Sequence, residues 1–258
     1  MIFKRILIVI SGIIGVLALL IFLNFLPAFN LGHSDMSVFR GEWVKVYYEK
    51  EKDAARETFE LAEKRAEELA ELLGIRGKQY INIYIYDSQK TFQKKKYGLI
   101  VSFLGLDWYI GDNIGTDVIL TSPANPGKMH NYDSVKNAVL HEIVHAYNHT
   151  LNKDMTYWVD NGLAGYLSNQ NPGRDFMKYS KVPTLKQTQV KGLLAPIKFA
   201  NYDGYSYSYT YIEYLVETYS WEKIRDFAKS GDYEASFGAS EQEIYNGWIE
   251  WFKINYIS

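Results

Sequence analysis

The chain has 258 residues, a formal net charge of −2 and no cysteine. Without thiols there are no disulfides, thiolate metal ligands or cysteine nucleophile, so any metal must be held by histidine, carboxylate or amide groups. Nearly balanced charge with no basic block argues against nucleic acid as a partner.

From Ile6 to Leu23 the chain is apolar apart from Ser11, with Gly12 and Gly15 interspersed, and no charge falls between Arg5 and Asp35. Such a run is long enough to cross a hydrocarbon core of about 30 Å. Lys4 and Arg5 precede it, and the positive-inside rule then puts the rest of the chain outside the cytoplasm. A cleaved signal peptide, which would make the protein secreted, is the competing reading. Its apolar region usually spans about 7–15 residues before a small-x-small site, whereas this run ends in Asn24-Phe25-Leu26-Pro27-Ala28-Phe29-Asn30 with no such site. The expectation is an uncleaved anchor over residues 1–30, a polar tether over 31–42 and one domain over 43–258, ample for a sizeable core.

Trp43 to Tyr48 alternates weakly. A helix is predicted from about Tyr48 to Leu73, with Ala55, Phe59, Ala62, Ala66, Leu69, Ala70 and Leu73 at three- and four-residue spacings and Gly74 closing it. Its dense charges read as a solvated face. Tyr80-Ile81-Asn82-Ile83-Tyr84-Ile85-Tyr86 is aromatic and β-branched enough to be a strand. Asp87 or Ser88 caps a short helix over Gln89–Tyr97, and Gly98 to Thr116 is irregular, with Trp108-Tyr109-Ile110 as a possible strand. Asp117-Val118-Ile119-Leu120-Thr121 is a further strand, ended by a Pro- and Gly-containing turn. The chain carries 22 tyrosines, clustered towards its end, which hints at a binding face.

The chemistry concentrates in His141-Glu142-Ile143-Val144-His145, two of only five histidines in the chain. On a helix, positions i and i+4 share one face about 6 Å apart along the axis. Zinc accepts imidazole nitrogen, and Glu142 stands where a general base for an activated water is needed. The other residues from Ala138 to Tyr147 are uncharged, so the helix belongs in a core, where a carboxylate between two histidines calls for a partner that a metal supplies. The plainer alternative is a core helix with two hydrogen-bonded histidines and a surface glutamate.

With a strand just upstream of this helix, the order of elements resembles the gluzincin type of zinc metallopeptidase, in particular its compact bacterial peptidase-MA-like group. The resemblance implies an edge strand above the metal that holds substrate backbone extended, either Asp117–Thr121 or the strand near Trp108. A second match is Tyr157-Trp158-Val159-Asp160-Asn161-Gly162-Leu163-Ala164-Gly165-Tyr166. The family pattern there is Trp-Leu-x-Glu-Gly-x-Ala-x-Tyr, and its Glu is the third protein ligand. Trp158, Gly162, Ala164 and Tyr166 fall in register, but Asn161 occupies the ligand position. Asp160 is turned about 100° away on a regular helix, and a third ligand at His149 would stretch the set over roughly 12 Å. The metzincin pattern fails too, since it asks for Gly at Asn148 and a ligand at Leu151.

The resemblance extends over Gln79 to Tyr256 and implies Zn²⁺ held by His141, His145 and Asn161, Glu142 as general base, and a tyrosine stabilising the oxyanion, for which Tyr205 aligns best ahead of Tyr207 and Tyr209. Asn171 to Asp203, with Pro172, Pro183 and Pro196, reads as a loop bordering the cleft. The expected fold is α+β: a small twisted sheet packed on the zinc-binding helix, a mainly helical C-terminal lobe, and one preceding transmembrane helix. Two functions follow from Asn161. Either the site binds zinc less tightly and still hydrolyses a peptide or protein substrate, or the fold holds an extracytoplasmic peptide without cleaving it.

Overall fold

The computed structural model describes residues 2–178, 181–192 and 194–257. A long helix, α1 (Ile2–Phe25), comes first and is exposed from Phe3 to Leu23. It is long and apolar enough to cross a membrane. The sheet follows, with β1 (Ser37–Arg40), β2 (Val44–Tyr48), α2 (Lys52–Leu73), β3 (Ile81–Tyr86), α3 (Gln89–Tyr97), β4 (Gly111–Ile114), β5 (Asp117–Thr121) and α4 (Tyr132–Leu151). The remainder is helical: α5 (Tyr157–Leu167), the short α6 (Leu185–Thr188) and α7 (Ala195–Ala200), then α8 (Gly204–Thr218), α9 (Trp221–Ser230), α10 (Tyr233–Phe237) and α11 (Glu241–Phe252). The architecture is thus α+β.

The sheet order is β1-β2-β3-β5-β4. β2, β3 and β5 run parallel, while β1 and β4 close the two edges antiparallel. Alternation along the strands sorts side chains to two faces. Ile81, Ile83, Ile85, Val118 and Leu120 join the main core under α2 and α4, and Tyr86 and Ile119 join Phe92 and Tyr97 of α3 on the other side. α2 meets the sheet and α4 through Ala55, Ala62, Ala66 and Ala70, whose small side chains allow close approach. Its last turn ends at Gly74 in the left-handed region, φ 68°.

Three expectations change here. The helix begins at Lys52 rather than near Tyr48, because Tyr48 is the last residue of β2. Trp108-Tyr109-Ile110 is not a strand: the Tyr109 N–H donates to the Leu106 carbonyl in a turn that sends the Tyr109 ring into the smaller core. The strand starts directly afterwards at Gly111. Within the segment expected as tether, Ser37–Arg40 forms β1, and Phe39 stacks on Tyr48 at 4.9 Å.

Candidate metal centre

α4 is fixed before it reaches the site. Asn131 accepts from the Ser134 N–H at 2.9 Å, and Ser134 Oγ accepts from the Asn131 N–H at 3.0 Å, so two donors left open at a helix start are satisfied. Val135, Val139, Ile143 and Val144 bind the helix into the core, and the Tyr147 hydroxyl donates to the Ala66 carbonyl of α2 at 3.0 Å. With that face committed, the face carrying His141, Glu142 and His145 lines a cleft of about 1300 Å³. The two imidazole rings lie 4.7 Å apart between centroids and nearly perpendicular, at 79°.

α5 supplies the opposite wall. Thr156 caps it, its side chain accepting from the Val159 N–H, and Trp158 locks it into an aromatic cluster with Phe199, Tyr211 and Trp248. Asn161 is buried, with its Nδ2 donating to the Tyr157 carbonyl one turn back at 2.9 Å. Its amide and that of Gln170 lie within hydrogen-bonding reach of His141. Asp160 reaches His145: its Oδ1 lies 2.8 Å from the ring Nδ1. The two groups form an ion pair when the ring is protonated. Asn148, one turn beyond His145, donates to the same Asp160 oxygen at 2.8 Å and holds the carboxylate in place.

Burial and neighbouring charge drive the three central groups apart. Burial takes the His141 pKa down to about 3, reinforced by His145, so His141 is neutral and ready to ligate. Burial raises Glu142 to about 8. At His145 burial opposes protonation, but Asp160, aided by Glu142 and Asp112, outweighs it and raises the pKa to about 9.

Among the described residues no three His, Cys, Asp or Glu side chains converge as a metal-binding group. What converges is two imidazoles and two amides. The His141 Nδ1 is buried without a hydrogen-bond partner, and buried nitrogen left unpaired costs about 1–3 kcal/mol unless something binds it, whereas the His145 Nδ1 faces Asp160. This donor set fits a divalent ion of the zinc type held by two nitrogens and a neutral amide oxygen, more weakly than with a third carboxylate.

The sheet edge beside the site is β4. β5, one of the two segments expected to be that edge, is interior, because β4 folds back across the Gly115-Thr116 turn and pairs with it. The Thr121 N–H donates to the Ile110 carbonyl, so in this antiparallel register Asp112 and Ile114 also bond towards β5, and the backbone groups of Gly111 and Asn113 point outward. A Cβ on Gly111 would lie 2.7 Å from Glu142 Oε1, so the glycine lets the Glu142 carboxylate sit against the edge. The outward groups of Asn113 are already taken. Its N–H donates to Asp112 Oδ1 at 2.6 Å, and its carbonyl accepts from Lys96 Nζ at 2.8 Å. Lys96 and Asp112 are themselves ion-paired at 2.8 Å.

Tyr205, in the first turn of α8, also lines the cleft. Its hydroxyl lies 3.2 Å from that of Tyr157, and its ring packs on Phe199 at 5.0 Å and faces Trp108 at 6.4 Å. Burial raises its pKa, so the hydroxyl keeps its proton. Val190, Lys191, Gly192, Ala195 and Pro196, from the segment read as a bordering loop, line the cleft rim.

His141, Glu142, His145, Asn161 and Tyr205 thus share one cleft. His149 lies in the last turn of α4 and, with Asn152 and Lys153, lines a small polar pocket that adjoins the cleft and shares His145 and Asp160 with it. Sequence reasoning set Asp160 aside and missed Asn148, Gln170, Asp112, Lys96 and the role of Gly111. Only Asn148 carried a local signal, three residues beyond His145 on the same helix; the others come from elements that pack together only in the fold. No known protein-family model matches the chain. No curated protein matches it in sequence.

Proposed function

We propose that this chain is a membrane-anchored, extracytoplasmic zinc metallopeptidase of gluzincin type that hydrolyses peptide bonds. The observation that carries the reading is the convergence in one cleft of a buried carboxylate, Glu142, set against the sheet edge at Gly111, and two buried imidazoles 4.7 Å apart, His141 and His145. His141 and His145, with Asn161 as the amide donor, would hold the ion. When bound, it would supply Lewis-acid polarisation of the scissile carbonyl and make water more acidic.

The chain's own groups do the rest. An extended substrate segment pairs its backbone with the outward groups of Gly111, beside Glu142. Glu142, which burial alone would keep protonated up to about pH 8 and a neighbouring cation would ionise at lower pH, takes a proton as a water oxygen bonds to the carbonyl carbon, and returns it to the amine nitrogen as the C–N bond breaks. The Tyr205 hydroxyl donates to the carbonyl oxygen as it gains negative charge. Asp160, held by Asn148, orients His145.

The test uses the purified full chain in detergent. After zinc supplementation and removal of free metal, about one zinc per chain is expected, with cleavage of an unstructured protein that falls by at least a hundredfold in Glu142→Gln. Asn161→Glu should raise zinc affinity at least tenfold in chelator competition. No retained zinc sinks the catalytic reading, and equal cleavage by wild type and Glu142→Gln identifies a contaminant. A second reading, a peptide-binding module, is favoured by the lack, among the described residues, of a third carboxylate converging on the two histidines. It is the outcome if peptide binds to a chain that holds no zinc.

A further inference from the structure

We propose that the 3₁₀ turn Leu99–Phe103, with Leu104, is a membrane-inserting loop that seats the cleft on the bilayer surface; this rests on the reading of α1 as membrane-spanning. The turn follows α3 directly, and its large apolar side chains point to water: Phe103 is 87% exposed, Ile100 54%, Leu99 49% and Leu104 39%. Leu26 and Phe29, at the foot of α1, are exposed at 47% and 69%. A continuous patch of this kind is uncommon on a surface that faces only water.

The contacts of α1 identify what covers it. Asn24 Nδ2 donates to the Tyr97 carbonyl at 3.2 Å, and Asn24 Oδ1 accepts from the Ile100 N–H at 2.9 Å. Gly98 between them lies so close to the Asn24 backbone carbonyl that any side chain there would collide with it. The loop is therefore clamped at the level of Asn24. The 24 residues of α1 span roughly 36 Å, more than the hydrocarbon core of about 30 Å. The end bearing Asn24 thus emerges at the interface, and the loop fixed to it lies at the depth where apolar side chains enter the acyl boundary. Lys90, Lys94 and Lys95 of α3 supply positive charge for the headgroups, and Lys95 Nζ also donates to the Asn30 carbonyl at the stem.

One consequence concerns substrate. Lys96 and Tyr97, which immediately precede the loop, line the cleft. This wall of the cleft adjoins the loop, so the cleft would meet polypeptide presented at the bilayer rather than in bulk solution.

The absence of cysteine makes the test direct. The full chain is prepared as single variants Ile100→Cys, Phe103→Cys, Gly15→Cys and Lys229→Cys, labelled with an environment-sensitive fluorophore and reconstituted in phosphatidylcholine–phosphatidylglycerol vesicles. The exposure of Ile100 and Phe103, and the open space around Gly15, make these replacements compatible with folding. Probes at 100 and 103 are expected to emit blue-shifted and to be quenched at least twofold more by a shallow lipid-borne quencher than the probe at 229, with the reverse order for aqueous iodide. If the probe at 15 is embedded while those at 100 and 103 behave like 229, the loop inference is overturned and the anchor stands. If the probe at 15 is itself in water, the anchor reading fails and takes the loop with it.

Discussion

At the scale of single residues, His145 sets how the site responds to pH. Its ligating form is neutral, yet Asp160 2.8 Å away helps raise its pKa to about 9. A metal ion must therefore displace a proton, and zinc affinity is expected to climb about tenfold per pH unit from pH 6 towards 9 before levelling off. Replacing Asp160 by Asn removes the charge that favours the imidazolium, and the plateau should then begin at lower pH. The metal-free protein should show the opposite trend in stability. The group's pKa is raised above the ordinary 6.5, so its contribution is fully present below 6.5 and is lost as pH rises through about 9. Chelator-competition titrations of wild type and Asp160→Asn at several pH values check this; identical profiles would show that Asp160 does not govern the proton on His145. The motif itself was legible, because helical spacing alone puts His141 and His145 on one face. Asp160 was not, because a regular helix turns it about 100° from Asn161, and only the packing of α5 against α4 brings it to the His145 Nδ1.

At the scale of elements, β4 is the strand to which the proposed peptide substrate would add. Of its outward-facing residues, Asn113 is tied up by Asp112 and Lys96, which leaves Gly111 as the position open to a partner. An exposed edge invites unwanted strands, and this ion pair blunts it. Replacing Lys96 by Met together with Asp112 by Ala frees both outward groups of Asn113 and opens the edge without leaving a half-buried charge unpaired. Peptide affinity, followed by fluorescence anisotropy, is expected to rise several-fold, with KM falling and kcat little changed; unaltered affinity would mean that peptide does not add to β4. This strand also marks where the sequence ran out. α2, β3, α3, β5 and α4 announce themselves by apolar period or by a cap such as Ser88, whose side chain accepts from the Thr91 N–H. Gly111-Asp112-Asn113 has weak strand preference, and it is extended because the Gly115-Thr116 turn folds it onto β5.

At the scale of the whole molecule, the question is where the folded unit begins. The apolar run of α1 was plain from composition, whereas Ser37–Arg40 reads as polar linker because its one large apolar residue, Phe39, lacks an alternating neighbour of the same kind. In the fold Phe39 stacks on Tyr48 at 4.9 Å, meets Phe59 at 5.7 Å and lies under Arg56 at 5.3 Å, while β1 covers the edge of β2. α1, in contrast, has its apolar window 0% buried. Two shortened chains separate these contributions. One covering 30–258 keeps the Leu31 carbonyl that accepts from Tyr86 and the Asn30 carbonyl that accepts from Lys95, and should fold with an intact sheet. One covering 42–258 loses β1 and bares Phe59 and the β2 edge. Losing a packed phenylalanine typically costs ~3–5 kcal/mol, and in a domain of this size each kcal/mol lowers Tm by about 2–4 °C. Thermal melts of the two chains are thus expected to differ by roughly 10 °C, with the shorter one also prone to associate through its open edge. Equal melting temperatures would make residues 31–42 a mere connector and move the start of the domain to β2.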